Sequence, residues 1–201
     1  MKITKTELEK IETLLNSSDK VNIDLALTIL SGFAVDDDGG KWLFDYYQQL
    51  QTAEDQQSQN NLQSILIGTS HLSPTKASRI LTLLFEKASD KICLEILNTF
   101  LDNNVITFPR LDLSDFPSSL FKLSNIERIK WPYGNISHLS ASILDLPVLE
   151  TLDLRHQPLM TIDEKIIQHP TLKELWISNA LIITENLAYD ANFEIFIEAA
   201  Y

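Results

Sequence analysis

Apolar residues recur along this chain in two different rhythms. Up to about residue 101 they return every three or four positions, which gathers them on one face of a helix. The stretch from Thr4 to Asn16 sets Leu8, Ile11, Leu14 and Leu15 on such a face, with Thr4 and Glu7 in capping-box register. A second helix is predicted over Asn22–Ser31, with Gly32 as its stop. The run Asp36-Asp37-Asp38-Gly39-Gly40 predicts a break, followed by a long helix from Trp42 toward Leu50. Thr52 to Asn61 is polar throughout and reads as a solvated helix extension or a loop. Helical spacing resumes at Leu62–Ile67, after Ser73-Pro74 and from Lys91 to Leu101, Ser73 serving as cap and Pro74 fitting a first turn.

From residue 103 the rhythm changes to a period of 23. Rows of 23 starting at 103, 126, 149 and 172 align apolar columns without any insertion. The fourth place holds Ile106, Ile129, Leu152 and Leu175, and the sixth holds Phe108, Trp131, Leu154 and Ile177. The eleventh holds Leu113, Ile136, Leu159 and Ile182, and the eighteenth Leu120, Ile143 and Ile166. Alternation between the fourth and sixth places is the period of a strand, so each row predicts a short strand with every second side chain inward.

The rows open with Ile126-x-x-Ile129-x-Trp131, Leu149-x-x-Leu152-x-Leu154 and Leu172-x-x-Leu175-x-Ile177. This resembles the leucine-rich-repeat family, whose unit begins L-x-x-L-x-L. The bacterial-style tail of that family is matched at Phe116-Pro117-Ser118-Ser119-Leu120-Phe121-Lys122-Leu123. The resemblance implies an N-terminal all-helical region followed by a short right-handed leucine-rich-repeat solenoid with a parallel sheet, an α+β or α/β architecture overall. The expected domains are a helical region over 1–101 and about four repeats plus a C-terminal cap over 102–201. The sequence departs from the family at the ninth place, where a ladder-forming Asn is usual. Here stand Leu111, Gly134, Gln157 and Ala180. One repeat cannot cover its own apolar face, so both ends need caps. The helical half is expected to cover the first. At the other end the pattern fades at Glu185 and Tyr189, and Asn192–Glu198 reads as a final strand or cap. The likeness of Asp19–Phe33 to Asp90–Leu101 points to stacked HEAT-like helical pairs in the first half.

Composition narrows the function. A net charge of −12 opposes binding to nucleic acid or to anionic membranes. The single cysteine, Cys93, permits no internal disulfide and fits a reducing compartment. No stretch resembles a signal peptide or a membrane span, so a cytoplasmic protein is expected. The four histidines lack metal-ligand spacing, Asp36–Gly40 lacks the spaced acids of a calcium loop, and no phosphate-binding glycine motif occurs. No catalytic, metal or cofactor site is expected.

What remains is a surface. Strand parity turns Arg128, Lys130, Asp153, Arg155, Glu174 and Trp176 outward on the concave side. Arg128, Lys130 and Arg155 would form a basic cluster, with Trp176 as an aromatic anchor or else a residue covered by the cap. The expected function is a non-catalytic module that binds a protein partner there, as a monomer or weak homodimer. The alternatives are an enzyme or enzyme-regulatory subunit with its site in the helical half, and a structural or self-association role.

Overall fold

A computed structural model describes residues 5–32, 36–60, 76–178 and 191–198. The chain divides into two compact units, Met1–Cys93 and Leu94–Tyr201.

The first unit is helical. It contains α1 (Lys5–Leu15), α2 (Lys20–Ser31), α3 (Asp37–Asn60) and α4 (Lys76–Lys87). A fifth helix, α5 (Asp90–Phe100), begins here and ends in the second unit. Helix α1 packs on α2, α2 on α4 and α3 on α4. Their buried faces carry Ile11, Leu15, Leu27, Leu30, Leu43, Ile80 and Leu84, while Leu8 and Leu14 of α1 are half-buried. Polar ties join the helices. Arg79 Nη1 reaches Asp24 Oδ1 at 2.6 Å, Tyr46 donates to Asn16 Oδ1 at 2.8 Å, and Lys76 Nζ donates to the Leu15 carbonyl at 2.8 Å.

Helix α3 starts earlier than expected. Asp36 acts as its cap, its carboxylate accepting from Gly39 N at 3.0 Å and its carbonyl from Gly40 N at 2.7 Å. Asp37 and Asp38 then occupy the first turn, where the helix dipole favours negative charge. Gly40 packs closely on its neighbour: a Cβ there would lie 3.1 Å from the Ile92 side chain. The polar stretch after Leu50 continues α3 as far as Asn60. Gly32 does end α2, although with φ −80° it keeps a right-handed conformation. The helical segment expected at Leu62–Ile67, the Ser73-Pro74 start and the fading at Glu185 and Tyr189 lie outside the described residues.

The second unit is built around a six-stranded, mostly parallel sheet. Its strands, in spatial order, are β1 (Leu101–Asp102), β2 (Val105–Thr107), β3 (Arg128–Lys130), β5 (Thr151–Asp153), β7 (Glu174–Ile177) and β8 (Glu194–Ile197). Only β1 runs antiparallel to its neighbour. The parallel register sets Ile106 beside Ile129, Ile129 beside Leu152 and Leu152 beside Leu175, which is the fourth column of the 23-residue rows. On the return path β4 (His138–Leu139) pairs with β6 (Thr161–Ile162), and 3-10 turns span Ser118–Lys122, Ala141–Asp145 and Glu164–Gln168. These elements keep the same 23-residue offset.

The columns form the core. Ile106, Ile129, Leu152, Leu175, Trp131, Leu154, Ile177, Leu120, Ile143 and Ile166 are all fully buried. Burying one such side chain contributes about 1.5–3 kcal/mol. Phe108, Phe116 and Trp131 meet at centroid distances of 4.7 and 5.3 Å and fill the start of this core. Cover for β2 comes from the same unit, through β1 and through Phe100, whose ring lies 6.4 Å from that of Phe108. The boundary between the two units lies inside α5.

At the ninth place of the rows one polar side chain ties the chain to the row before it. Gln157 is buried; its Nε2 donates to the Trp131 carbonyl at 2.7 Å, and its Oε1 accepts from Ile136 N at 3.0 Å. It reaches back across one row because Gly134, at the equivalent place, has no side chain. A Cβ on Gly134 would sit 2.7 Å from Gln157 Nε2 and 2.8 Å from Trp131 Nε1.

Candidate functional site

The parallel register arranges the outward side chains in two rows. One row runs Val105, Arg128, Thr151, Glu174 and Glu194; the other runs Thr107, Lys130, Asp153, Trp176 and Phe196. Neighbouring strands lie about 4.8 Å apart, so each row brings successive side chains within reach of one another. Arg128, Lys130, Asp153, Arg155, Glu174 and Trp176, together with Thr151, line one open depression of about 290 Å³. All six residues selected by strand parity are thus brought together.

Their chemistry differs from a simple basic cluster. Asp153 and Arg155 lie two apart on β5 and its extension, hence on the same side. Arg155 Nη2 and Nε donate to the Asp153 carboxylate at 2.7 and 2.9 Å, and Arg155 Nη1 lies 3.5 Å from Glu198 Oε2. Asp153 is only 7% exposed, and the fork-to-fork pairing with its carboxylate raises the Arg155 pKa. Arg155 is therefore neutralised within the protein. Arg128 and Lys130 are exposed and have no charged partner among the described residues. The basic character of this face comes from those two.

Trp176 is half-buried. Its ring stacks on Phe196 at 4.2 Å, the Arg155 guanidinium lies 5.3 Å from its centroid, and its Nε1 donates to Glu174 Oε2 at 3.2 Å. Strand β8 thus flanks the indole and covers it only in part, leaving aromatic surface beside the depression. A second open depression of about 520 Å³ adjoins the first through their shared Glu174, and Lys173, Asn192 and Glu194 help line it. Lys173 is tied to Glu150 at 2.6 Å, whereas Glu194 is exposed with no partner among the described residues. The face is basic along β3 and acidic along β7 and β8.

Sequence reasoning did not name Glu194, Phe196 and Glu198 as part of this face. Strand parity applied to Asn192–Glu198 would have supplied them. Tyr133 was also missed. It stacks on His156 at 5.0 Å, and His156 adopts a left-handed φ of 61° that places it there. No sequence pattern announces that geometry.

His71 lies outside the described residues, and the other two histidines are committed elsewhere. His138 Nδ1 meets Thr161 Oγ1 at 2.7 Å. His169 is fully buried: Nδ1 accepts from Leu172 N at 3.1 Å and Thr171 N at 3.3 Å, so Nε2 carries the proton and donates to the Ile143 carbonyl at 3.2 Å. Burial lowers its pKa below the usual value, opposed by the bond to Ile143. Among the described residues no group of three or more His, Cys, Asp or Glu is placed to hold a metal ion. No helix among them is long and apolar enough to cross a membrane. Comparison of the sequence with protein-family models and with curated proteins gives no match.

Proposed function

We propose that the second unit is a leucine-rich-repeat solenoid that holds a protein partner on the outer face of its sheet, without catalysis. The observation that carries this reading is the convergence of Arg128, Lys130, Glu174 and Trp176 on one depression. Two unpaired cations and a half-covered indole on an acidic protein are features that binding would use. Tryptophan and arginine supply area and charge at interface centres.

The test is affinity capture from native lysate followed by mass spectrometry, comparing wild type with Trp176→Ala and with Arg128→Glu/Lys130→Glu. Arg155 is not a suitable target for reversal, because it neutralises the buried Asp153 carboxylate. Loss of the indole should weaken capture by about tenfold or more. Double reversal should slow association with an acidic partner, and added salt should mimic part of that effect. Equal recovery of the same proteins by all three forms would remove this face from consideration. A structural role for the repeats draws on the Trp176–Phe196 stack, since part of the indole already serves the fold.

A further inference from the structure

We infer that the partner presents to this face an extended, dipolar segment: a carboxylate for Arg128 and Lys130, a cation for Glu174 and Glu194, and an apolar side chain between them against Trp176. The inference rests on the docking role proposed above and specifies what docks.

The charge pattern is the first ground. Arg128 and Lys130 stand on β3, exposed, with no charged partner among the described residues. Two strands away on β7 stands Glu174, half-buried and accepting from Trp176 Nε1, and on β8 follows Glu194, which is exposed and without a partner among those residues. Between them Asp153 and Arg155 cancel each other. A uniformly acidic ligand would meet Glu174 and Glu194, and a uniformly basic one would meet Arg128 and Lys130. A ligand that carries both signs in the right order meets neither penalty.

The dimensions fix the spacing. From β3 to β7 is two strand steps, about 10 Å, and from β3 to β8 three steps, about 14 Å. An extended chain advances about 3.3 Å per residue. A segment crossing the strands therefore needs its acid and its base three or four residues apart. The intervening residues pass over Thr151, Asp153 and the exposed part of Trp176, where an apolar side chain gains contact with the indole. The two adjoining depressions of about 290 and 520 Å³ have room for individual side chains.

Area favours a segment over a second copy of this chain. Six strands at about 4.8 Å each, three residues deep, make a face of roughly 290 Å². A standard interface buries about 800 Å² per partner. A free phosphate is disfavoured as well, because a dianion would lie beside Asp153 and Glu174 in the same depression.

The experiment is selection from a displayed random peptide library against three forms of the full chain: wild type, Arg128→Gln/Lys130→Gln and Glu174→Gln/Glu194→Gln. Circular dichroism melts establish that each form is folded. Wild type should enrich peptides with an acid and a base three or four residues apart around an apolar residue. The first variant should lose the preference for the acid and keep that for the base, and the second should do the reverse. Acid enrichment that persists on the first variant overturns the inference, as does a wild type that enriches nothing. Peptides that depend on Trp176 but show no charge spacing would sink the dipolar occupant and leave the docking role standing. Concentration-dependent dimerisation in sedimentation, abolished by either variant, would hand the face to a second copy and also overturn it. Displacement of selected peptides by inorganic phosphate, where chloride has no effect, would assign the basic rim to phosphate instead.

Discussion

Gln157 ties two neighbouring rows of the second unit together from a buried position. Its two hydrogen bonds satisfy the Trp131 carbonyl and the Ile136 amide inside the protein. Gln157→Leu should therefore destabilise the second unit by about 1–3 kcal/mol for each group left unpaired, read as a lower urea midpoint with unchanged slope. Gly134→Ala should also cost about 1–3 kcal/mol by crowding, and less once Gln157 is already shortened. Urea midpoints of the two single variants and the double variant check that coupling. His169 offers a second case. Its folded pKa is depressed, so the unfolded chain binds the proton more readily. The neutral ring's contribution is complete above the unfolded value, about 6.5, and is lost as pH falls from there toward the folded value. Protonation would turn Nδ1–H toward the amides of Thr171 and Leu172. Wild type should thus lose stability as pH falls below about 6.5, and His169→Leu should flatten that dependence. An unchanged slope of denaturation midpoint against pH would remove His169 as its source.

At the scale of elements the strands are the legible part. Leu152 is fully buried, and the adjacent Thr151 faces the depression. Leu152→Asp should unfold the second unit, because it buries an unpaired charge. Thr151→Asp should change the melting temperature little, since Arg128 flanks it on one side and offsets Glu174 on the other. Equal damage in thermal melts would contradict the register. Register and parity can be read because a 23-residue period without insertion and an alternation of two both leave their mark on residue order. Helix starts are harder. The cap at Asp36 stands inside an acidic, glycine-rich run that equally suits a turn, and only packing of Gly40 on Ile92 decides between them. The charge state of the outer face was legible in part. Asp153 and Arg155 share a side at a spacing of two, which hints at pairing; the approach of Glu198 depends on β8, which carries no 23-residue signature.

For the whole molecule the unit boundary matters more than the visible change of rhythm. The period begins near residue 103, yet the second unit begins at Leu94, because β1 and Phe100 cover β2 and Phe108. Residues 103–201 expressed alone should aggregate or melt early, since the edge of β2 would lie open. Residues 94–201 should remain more soluble and melt at a higher temperature, as static light scattering and calorimetry would report. Indistinguishable fragments would mean that residues 94–102 give the sheet no protection.

The pairing of Gly134 with Gln157 also bears on how such a chain is able to change over generations. Rows of identical length invite duplication, loss and exchange, as if they were interchangeable links. These two are not. Gln157 needs an empty place one row before it, and only Gly134 offers one. Deleting residues 126–148 would preserve every strand register but bring Gln157 against Leu111, whose side chain already lies in the core. A shuffle that carries the glycine and the glutamine together keeps this fit, and one that separates them loses it.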